Sequence, residues 1–426
     1  MDPQPSSPGG VADPGSLEAR ALRTLRSNVV RGYDPYYRTE FEYVRPSPGR
    51  YNWQWFWDSC FHVIALARLD PAMAAQEMRM LLAPQDPDGF IGHMTYWGRR
   101  GALANAVLLQ SKLGTWRRRH SALIQPPFLG QALERLFDAT GDAGLPAEFL
   151  PGVRRYYDWL AEHRSPPDTD LIAIFSPYEA GVDNSPAYDP LFGVTRPGRL
   201  RILYLNRRLD VLNIFAGGNH DARRLFEKDR FVVYDTLVNA AYAEGLRSVS
   251  RLHAALGDSA GAETAARRAA AVEAEVNDRC WDEGRGYYVH LAGRARRRLD
   301  TLTASSLVPL ALETTPRDRV RQVVERHLTN PDEFWTKLPV PSVAASEPTF
   351  DPSGERMIWR GPVCMNLNWM LVRGLRRHGH DAEAAHIAAR SRAAVDAGGF
   401  REFYDPVTGR GLRGTSFGWA TVVVDM

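Results

Sequence analysis

Apolar residues recur at helical spacing along most of the chain, and this period constrains the fold more than any other feature of the sequence. Ser16 is suited to cap a first helix that is expected to run to about Arg31. The same spacing predicts further helices over 58–69, 71–82, 105–112, 127–140, 146–163, 234–256, 259–280, 315–327, 362–378, 381–397 and 415–424. The pattern is typical of an all-α protein.

Long loops separate these helices, over residues 32–57, 86–104, 165–207 and 334–360. Such lengths exceed the usual connection between packed helices, and these loops hold most of the Trp, Tyr, Asp and His residues. Gly286–Leu299 alternates around an Ala-Gly turn and predicts one short hairpin. Paired helices with chemistry confined to loops predict a helical toroid, in which an inner ring surrounds a funnel that loops close at one end.

The composition limits the class of partner. The 53 basic and 50 acidic residues give a formal net charge of +3, which leaves no electrostatic footprint for nucleic acid. No apolar run approaches 18 residues, so no membrane span is expected, and the hydrophobic fraction of 44% supports a large core. Residues 1–15 are rich in Pro, Gly and Ser and predict a disordered leader, followed by one domain over 16–426.

The cysteines and motifs predict neither metal nor cofactor. Cys60, Cys280 and Cys364 are scattered without CxxC spacing, which argues against disulfides and structural zinc and favours a cytoplasmic location. The sequence contains no HExxH, no nucleotide-binding GxGxxG and no GxxxxGK[ST] motif. Any chemistry is therefore expected to use side chains.

Residues 176–189, SPYEAGVDNSPAYD, form an acidic segment that cannot be a regular helix or strand. Gly181 permits a tight backbone and Pro186 restricts the preceding residue, so Asp183 is expected at a bend. A carboxylate held in this way can be aimed at a substrate. The alternative is an Asx turn, in which Asp183 or Asn184 bonds only its own backbone.

Aromatic clusters flanked by polar groups indicate a sugar site. Residues 51–58, YNWQWFWD, place indole faces beside Asp58, an arrangement that stacks on a sugar ring and pairs its hydroxyls. Asp58 as a simple helix cap is the alternative. In residues 357–369, Arg360 supplies fixed donors next to Trp359.

Glu402 lies between apolar neighbours in the segment FREFYDPVTG, residues 400–409. Apolar surroundings raise the pKa of a carboxyl group, so a residue in this setting suits acid–base work. A surface salt bridge with Arg401 or Arg410 is the alternative interpretation.

Five motifs in order carry a resemblance: QWFWDS, GHMTYW, AGVDNSP, WRGPVCMNLNW and REFYDPVTG. From about Tyr51 to the C-terminus the chain resembles glycoside hydrolase family 63, and is most similar to its bacterial mannosylglycerate and glucosylglycerate hydrolases. The resemblance implies an (α/α)6 barrel that cleaves an α-glycosidic bond of a small glycoside with inversion of configuration.

The resemblance also implies the site residues. Asp183 would be the general acid and Glu402 the general base, which fits the need of an inverting enzyme for two carboxyl groups on opposite faces of the sugar. The residues implied to bind substrate are Tyr51, Trp55, Trp57, Asp58, Trp359, Arg360, Tyr404 and Trp419, with Tyr96 and Gln125 on the leaving-group side.

Three alternatives stay open at this point. Leu205 and Val211 stand where a pair gripping glycerate is expected, so a neutral disaccharide or another α-glycoside is an alternative substrate, as in a trehalase-like hydrolase on the same barrel. A carbohydrate-binding barrel without catalysis is the second alternative. The third is an isomerase or epimerase on the same toroid, which would normally need catalytic histidines in the pocket; only His62, His93 and His120 lie near the rich loops. The sequence leaves self-association into a homo-oligomer undecided.

Overall fold

The computed structural model describes residues 13, 15–49, 51–98, 116–117, 120–194, 198–215, 222–355 and 357–426. Residues 1–12 and 14 of the predicted leader lie outside this part, as does the predicted helix over 105–112. Within the described residues, none of the helices has both the length and the apolar character needed to cross a membrane.

Helices dominate the described chain. They are α1 (Leu17–Ser27), α2 (Phe56–Leu69), α3 (Pro71–Leu82), α4 (Leu129–Thr140), α5 (Gly144–Arg164), α6 (Arg199–Phe215), α7 (Ala222–Lys228), α8 (Thr236–Ala255), α9 (Ser259–Glu275), α10 (Arg317–Val323), α11 (Met365–Arg377) and α12 (Asp381–Gly398). Short 3₁₀ segments include Pro177–Ala180, Pro186–Phe192, Val308–Ala311 and Gly418–Asp425. Single π-helical turns continue α9 over Val276–Cys280 and α10 over Val324–Leu328.

The strands are short and pair in small sheets. They are β1 (Val29–Asp34), β2 (Thr39–Val44), β3 (Gln54–Trp55), β4 (Met94–Thr95), β5 (Trp116–Arg117), β6 (His120–Ser121), β7 (Val233–Tyr234), β8 (Trp281–Asp282), β9 (Tyr287–Tyr288), β10 (His290–Ala292), β11 (Arg297–Leu299), β12 (Arg401–Tyr404) and β13 (Gly411–Thr415). The predicted hairpin is confirmed: β10 and β11 pair antiparallel, with His290 opposite Leu299.

Six elements form the closed inner ring of an (α/α)6 barrel. Helix α2 contacts α4, α4 contacts α8, and α8 contacts the turn Val308–Ala311. This turn contacts α11, which contacts the segment Gly418–Asp425, and that segment packs back against α2. Helices α3, α5, α9, α12 and α1 lie outside this ring, against α2, α4, α8, α11 and Gly418–Asp425 respectively. The fold predicted from the sequence is therefore confirmed.

Near the N-terminus, the predicted helix limit at Arg31 is wrong. Helix α1 ends at Ser27, because the buried Asn28 turns its amide group to the carbonyl of Ser416, at 2.7 Å. The β-branched pair that follows, Val29 and Val30, then enters β1 and pairs with β2 in the segment predicted as loop.

The predicted helix over 415–424 is also wrong. Strand β13 extends to Thr415, and Gly418–Asp425 winds as a 3₁₀ segment that is buried throughout. Because this segment is apolar on every side, its pattern does not distinguish the two helical periods. Conversely, α6 begins at Arg199, inside the predicted loop 165–207. The sequence did not predict this helix because its polar and apolar residues form no clear stripe.

Backbone pairing between distant loops positions the site. Val363 exchanges two backbone hydrogen bonds with Tyr404, of 2.8 and 3.0 Å. This pairing holds the loop that ends in Trp359 and Arg360 beside strand β12, which carries Glu402.

Candidate active site

Glu402 lies on β12 and is 2% exposed. The Tyr51 hydroxyl donates a hydrogen bond of 2.7 Å to its Oε1 atom, while no described group lies in hydrogen-bond geometry with the buried Oε2 atom. The predicted alternative of a salt bridge with Arg401 fails, because the Arg401 Nε atom donates to the Gly398 carbonyl at 2.9 Å. Glu402 therefore keeps one oxygen available inside the site.

Asp183 occupies a turn between the 3₁₀ segments Pro177–Ala180 and Pro186–Phe192, and it is half-buried. The loop around it is braced by Glu179, whose carboxylate accepts two hydrogen bonds from the buried Arg164 guanidinium, at 2.8 and 2.9 Å. The backbone amides of Ile124 and Phe175 donate to the same carboxylate, at 3.0 and 2.7 Å. Glu179 thus shapes the loop that presents Asp183.

Arg360 makes a buried bidentate ion pair with Asp189, with N–O distances of 2.7 and 2.8 Å. Both terminal nitrogens of the guanidinium donate to this carboxylate. Arg360 was predicted to bind substrate, and the structure instead directs these two donors to the end of the acidic loop. Its Nε atom is buried and has no described acceptor.

Asp58 lies in the first turn of α2 and is 2% exposed. Burial raises the pKa of its carboxyl group well above the usual value, and the nearby charges of Glu402 and Asp183 raise it further. The cap alternative fails, because Trp55 stands at the cap position of α2 and makes no side-chain cap bond. Three carboxyl groups from three distant segments are therefore close enough to interact electrostatically.

Aromatic rings form a wall beside these carboxyl groups. The ring centroids of Trp57, Trp359 and Trp419 lie 5.8 to 6.2 Å apart, and the Trp419 indole nitrogen donates to the Glu402 carbonyl at 3.1 Å. Gly181 lies so close to the Trp57 ring that an added Cβ would come within 2.7 Å of it. The aromatic wall therefore contacts both the acidic loop that carries the predicted acid and strand β12, which carries the predicted base.

The remaining predicted residues take different places. Trp55 packs edge-on against Tyr51, the residue that donates to Glu402, with ring centroids 5.6 Å apart. The Gln125 side-chain oxygen accepts the backbone amide of Trp57 at 3.1 Å. The Tyr404 hydroxyl donates to the Gly399 carbonyl at 2.7 Å and so braces the strand.

Tyr96 was predicted on the leaving-group side of the site. It is 5% exposed and packs edge-on against Trp53, with ring centroids 5.8 Å apart. Tyr96 therefore belongs, with Met94, to a small buried cluster against which the partly buried Trp53 and Trp55 pack.

Sequence reasoning missed the polar face of α6, formed by Asn206, Asp210 and Asn213, all buried. Asp210 accepts a hydrogen bond of 2.9 Å from the Ser176 hydroxyl, at the start of the acidic loop. The spacing of four and three residues would have signalled a polar helix face, but the segment up to Arg207 was predicted to be loop.

No metal centre is apparent among the described residues, since no three or more of their His, Cys, Asp and Glu side chains are grouped as ligands. The three cysteines are free and buried. The site as described consists of carboxyl groups, tryptophans and polar side chains.

Comparisons with known proteins give a consistent result. A family model described as the mannosylglycerate hydrolase MGH1-like glycoside hydrolase domain matches residues 51–420. The mannosylglycerate hydrolase of Thermus thermophilus is 28% identical over 89% of this chain and 94% of its own length. The glucosylglycerate hydrolase of Mycolicibacterium hassiacum is 26% identical over 96% of this chain and 97% of its own length.

A solved structure is similar over nearly the whole chain. It is a family 63 mannosylglycerate hydrolase, also from Thermus thermophilus, in complex with Tris and D-glycerate. It superposes with a TM-score of 0.81 at 27% identity and covers 96% of this chain and 98% of that one.

Proposed function

The chain belongs to the MGH1-like glycoside hydrolases of family 63, and from this premise we propose that it is an inverting α-glycosidase acting on mannosylglycerate or glucosylglycerate. That the protein is a glycosidase follows from the family. The choice of substrate rests on the similarity to a mannosylglycerate hydrolase and a glucosylglycerate hydrolase. The proposed mechanism rests on one observation: Asp58 is buried where the charges of both Glu402 and Asp183 act on it.

Glu402 is the proposed general base. The Tyr51 hydroxyl donates to its Oε1 atom at 2.7 Å and so holds the carboxyl group in place. The Oε2 atom, which has no described partner, is then available to accept a proton from the attacking water.

Asp183 is the proposed general acid. Its turn lies on the acidic loop next to Gly181, which faces the Trp57 ring, and that ring also packs edge-on against Trp419. Inversion requires a water between the base and the sugar, so we expect the two carboxyl groups to be roughly 6.5 to 9.5 Å apart in the working enzyme. The acid then protonates the glycosidic oxygen as the bond to the leaving group breaks.

The sugar subsite is proposed to lie against Trp57, Trp359 and Trp419. Asp58 has a raised pKa, so its carboxyl group can donate as well as accept a hydrogen bond to a sugar hydroxyl. We treat residues 16–426 as one catalytic domain, because α1 packs on the segment Gly418–Asp425 that completes the inner ring.

Two isosteric substitutions test the mechanism, Asp183→Asn and Glu402→Gln. Each removes the proton-transfer group with little change in shape, so we expect kcat on α-mannosylglycerate and α-glucosylglycerate to fall by about 1,000-fold. The exposed Glu148, which pairs with Arg79, offers the control Glu148→Gln, for which wild-type turnover is expected.

The product anomer, followed by NMR during wild-type hydrolysis, tests the stereochemistry. A β-anomer formed first supports inversion, whereas an α-anomer formed first contradicts it. Near wild-type turnover in either carboxyl variant would overturn the assignment of acid and base. Turnover of α,α-trehalose by the wild type, measured beside the two glycerate glycosides, tests the trehalase-like alternative.

A further inference from the structure

A second groove lies behind strand β12, away from the proposed sugar subsite. Its cavity has a volume of about 500 Å³ and is bounded by α1, by the end of α12 and by the β12–β13 ladder. Successive side chains of a strand point to opposite faces, so Arg401 lines this groove while Glu402 points into the site. The groove and the site are therefore separate.

The groove carries an excess of positive charge. Arg20, Arg23 and Arg401 line it, and none of its described lining residues is acidic. Arg20 forms an ion pair with the exposed Asp396 of α12. In the described chain, neither Arg23 nor Arg401 has a carboxylate within ion-pair distance. Two guanidinium charges of the groove are thus left without an anion.

These guanidinium groups also keep free hydrogen-bond donors. The Arg401 Nε atom donates to the Gly398 carbonyl at 2.9 Å, which fixes the side chain, while no described group accepts from its two terminal nitrogens. The Arg20 Nε atom is buried and has no described acceptor either. The planar fork of an arginine matches the oxygens of a phosphate group and binds them through paired hydrogen bonds.

Hydroxyl groups line both walls of the groove. Thr24 and Ser27 lie on α1, one turn after the arginines of the same helix face, and Thr415 and Ser416 lie on the opposite wall. The buried Asn28 amide donates to the Ser416 carbonyl at 2.7 Å and so fixes the distance between the two walls. Hydroxyls both donate and accept, so they suit the hydroxyl groups of a ligand.

We propose that this groove binds a phosphate monoester of a small polyhydroxy compound. A phosphate dianion balances the two guanidinium charges that have no carboxylate partner. The phosphate group itself has the bulk of about four waters, or roughly 120 Å³, and fills only part of the cavity. The remaining volume, lined by the four hydroxyls, takes the polyhydroxy part of the ligand.

Isothermal titration calorimetry of the full chain tests the site. Ribose 5-phosphate, inorganic phosphate and ribose are titrated in sodium chloride at physiological ionic strength, which screens unspecific attraction. We expect saturable binding of ribose 5-phosphate with a Kd of about 1 mM or below, weaker binding of inorganic phosphate and no binding of ribose.

Arg23→Gln removes one of the two unmatched charges. Arg23 is exposed and has no described partner, so the variant is expected to keep the wild-type Tm while its Kd for ribose 5-phosphate rises by about 10-fold. Arg26→Gln is the matched control. Arg26 is exposed on the same helix, pairs with Asp70 at 2.8 Å and does not line the groove, so its loss should leave the Kd unchanged.

Three results would overturn the proposal. An equal Kd in Arg23→Gln and the wild type would place the ligand elsewhere, and binding of ribose as tight as that of its phosphate would assign it to the sugar subsite. Inorganic phosphate binding as tightly as ribose 5-phosphate would remove the role of the hydroxyls. Binding is measured without turnover, so the result does not depend on the proposed acid and base.

Discussion

At the scale of single residues, the site depends on which polar atoms find partners within the protein. Glu402 accepts from Tyr51 through one oxygen only, whereas the Asp189 carboxylate is fully used by Arg360. The sequence identified the residue types but not these pairs, because Arg360 and Asp189 are separated by 171 positions. Local sequence cannot show where the donors of an arginine go.

A buried histidine links stability to pH. His62, on α2, is fully buried. Burial lowers its pKa from 6.5 to about 3, because the charged ring would lose its hydration. Between these values the unfolded chain binds the proton and the folded one does not, so stability falls as the pH drops from 6.5 toward 3.

We expect His62→Leu to remove this part of the pH dependence. In the wild type, His62 contributes a slope of about 1.4 kcal/mol per pH unit to the free energy of unfolding within that window. Urea unfolding at several pH values between 6.5 and 4 measures the difference in slope between the two proteins. His386→Gln, at an exposed position, is the control. Parallel slopes for wild type and His62→Leu would contradict the prediction.

At the scale of elements, the acidic loop and the aromatic wall fit together through a glycine. Gly181 has a φ of 73°, a left-handed conformation that other residues adopt only with strain, and it faces the Trp57 ring. The sequence predicted a bend here from Gly181 and Pro186. It did not predict which ring the bend would contact, because Trp57 enters from a helix more than a hundred residues earlier.

Gly181→Ala is expected to lower activity as well as stability. The substitution costs about 1 kcal/mol of backbone strain, and its Cβ also displaces the Trp57 ring from the sugar subsite. We expect a fall in kcat/KM of about 10-fold or more on the best substrate.

Gly193→Ala is the matched control for this substitution. Gly193 ends the next 3₁₀ segment with a similar φ of 61°, and nothing lies within 4 Å of the position its Cβ would take. It should share the loss of Tm but keep kcat/KM. Equal kinetics in the two variants would mean that the contact with Trp57 does not matter for catalysis.

At the scale of the whole molecule, the last segment of the chain closes the inner ring. Gly418–Asp425 packs between α11 and α2, and Asp425 accepts a hydrogen bond of 2.8 Å from the Trp369 indole and pairs with Arg135. The barrel is therefore completed only by the final residues. The sequence predicted a helix here, and the structure has a buried 3₁₀ segment in the same place.

Deletion of residues 418–426 is expected to abolish the folded state. It removes the buried side chains of Trp419, Val422, Val423 and Val424, each of which contributes roughly 1.5 to 3 kcal/mol. Their sum is comparable to the total stability of an average protein, about 5 to 15 kcal/mol. Near-UV circular dichroism should lose its signal and its cooperative thermal transition.

Deletion of Met426 alone is the control, because this residue is only partly buried. It should keep the near-UV signal and a Tm close to that of the wild type. A cooperative transition in the longer deletion would show that the ring does not need its sixth element.

The sequence by itself determined the barrel, most helix limits and the segments that carry Asp183 and Glu402. Helical period and turn chemistry are local, so they are readable from neighbouring residues. Only the tertiary structure decided that Tyr51 pairs with Glu402, that Arg360 pairs with Asp189, and that Asp210 of α6 accepts a hydrogen bond from Ser176 of the acidic loop. These outcomes depend on which distant groups meet in a buried space, and a one-dimensional pattern does not encode that geometry directly.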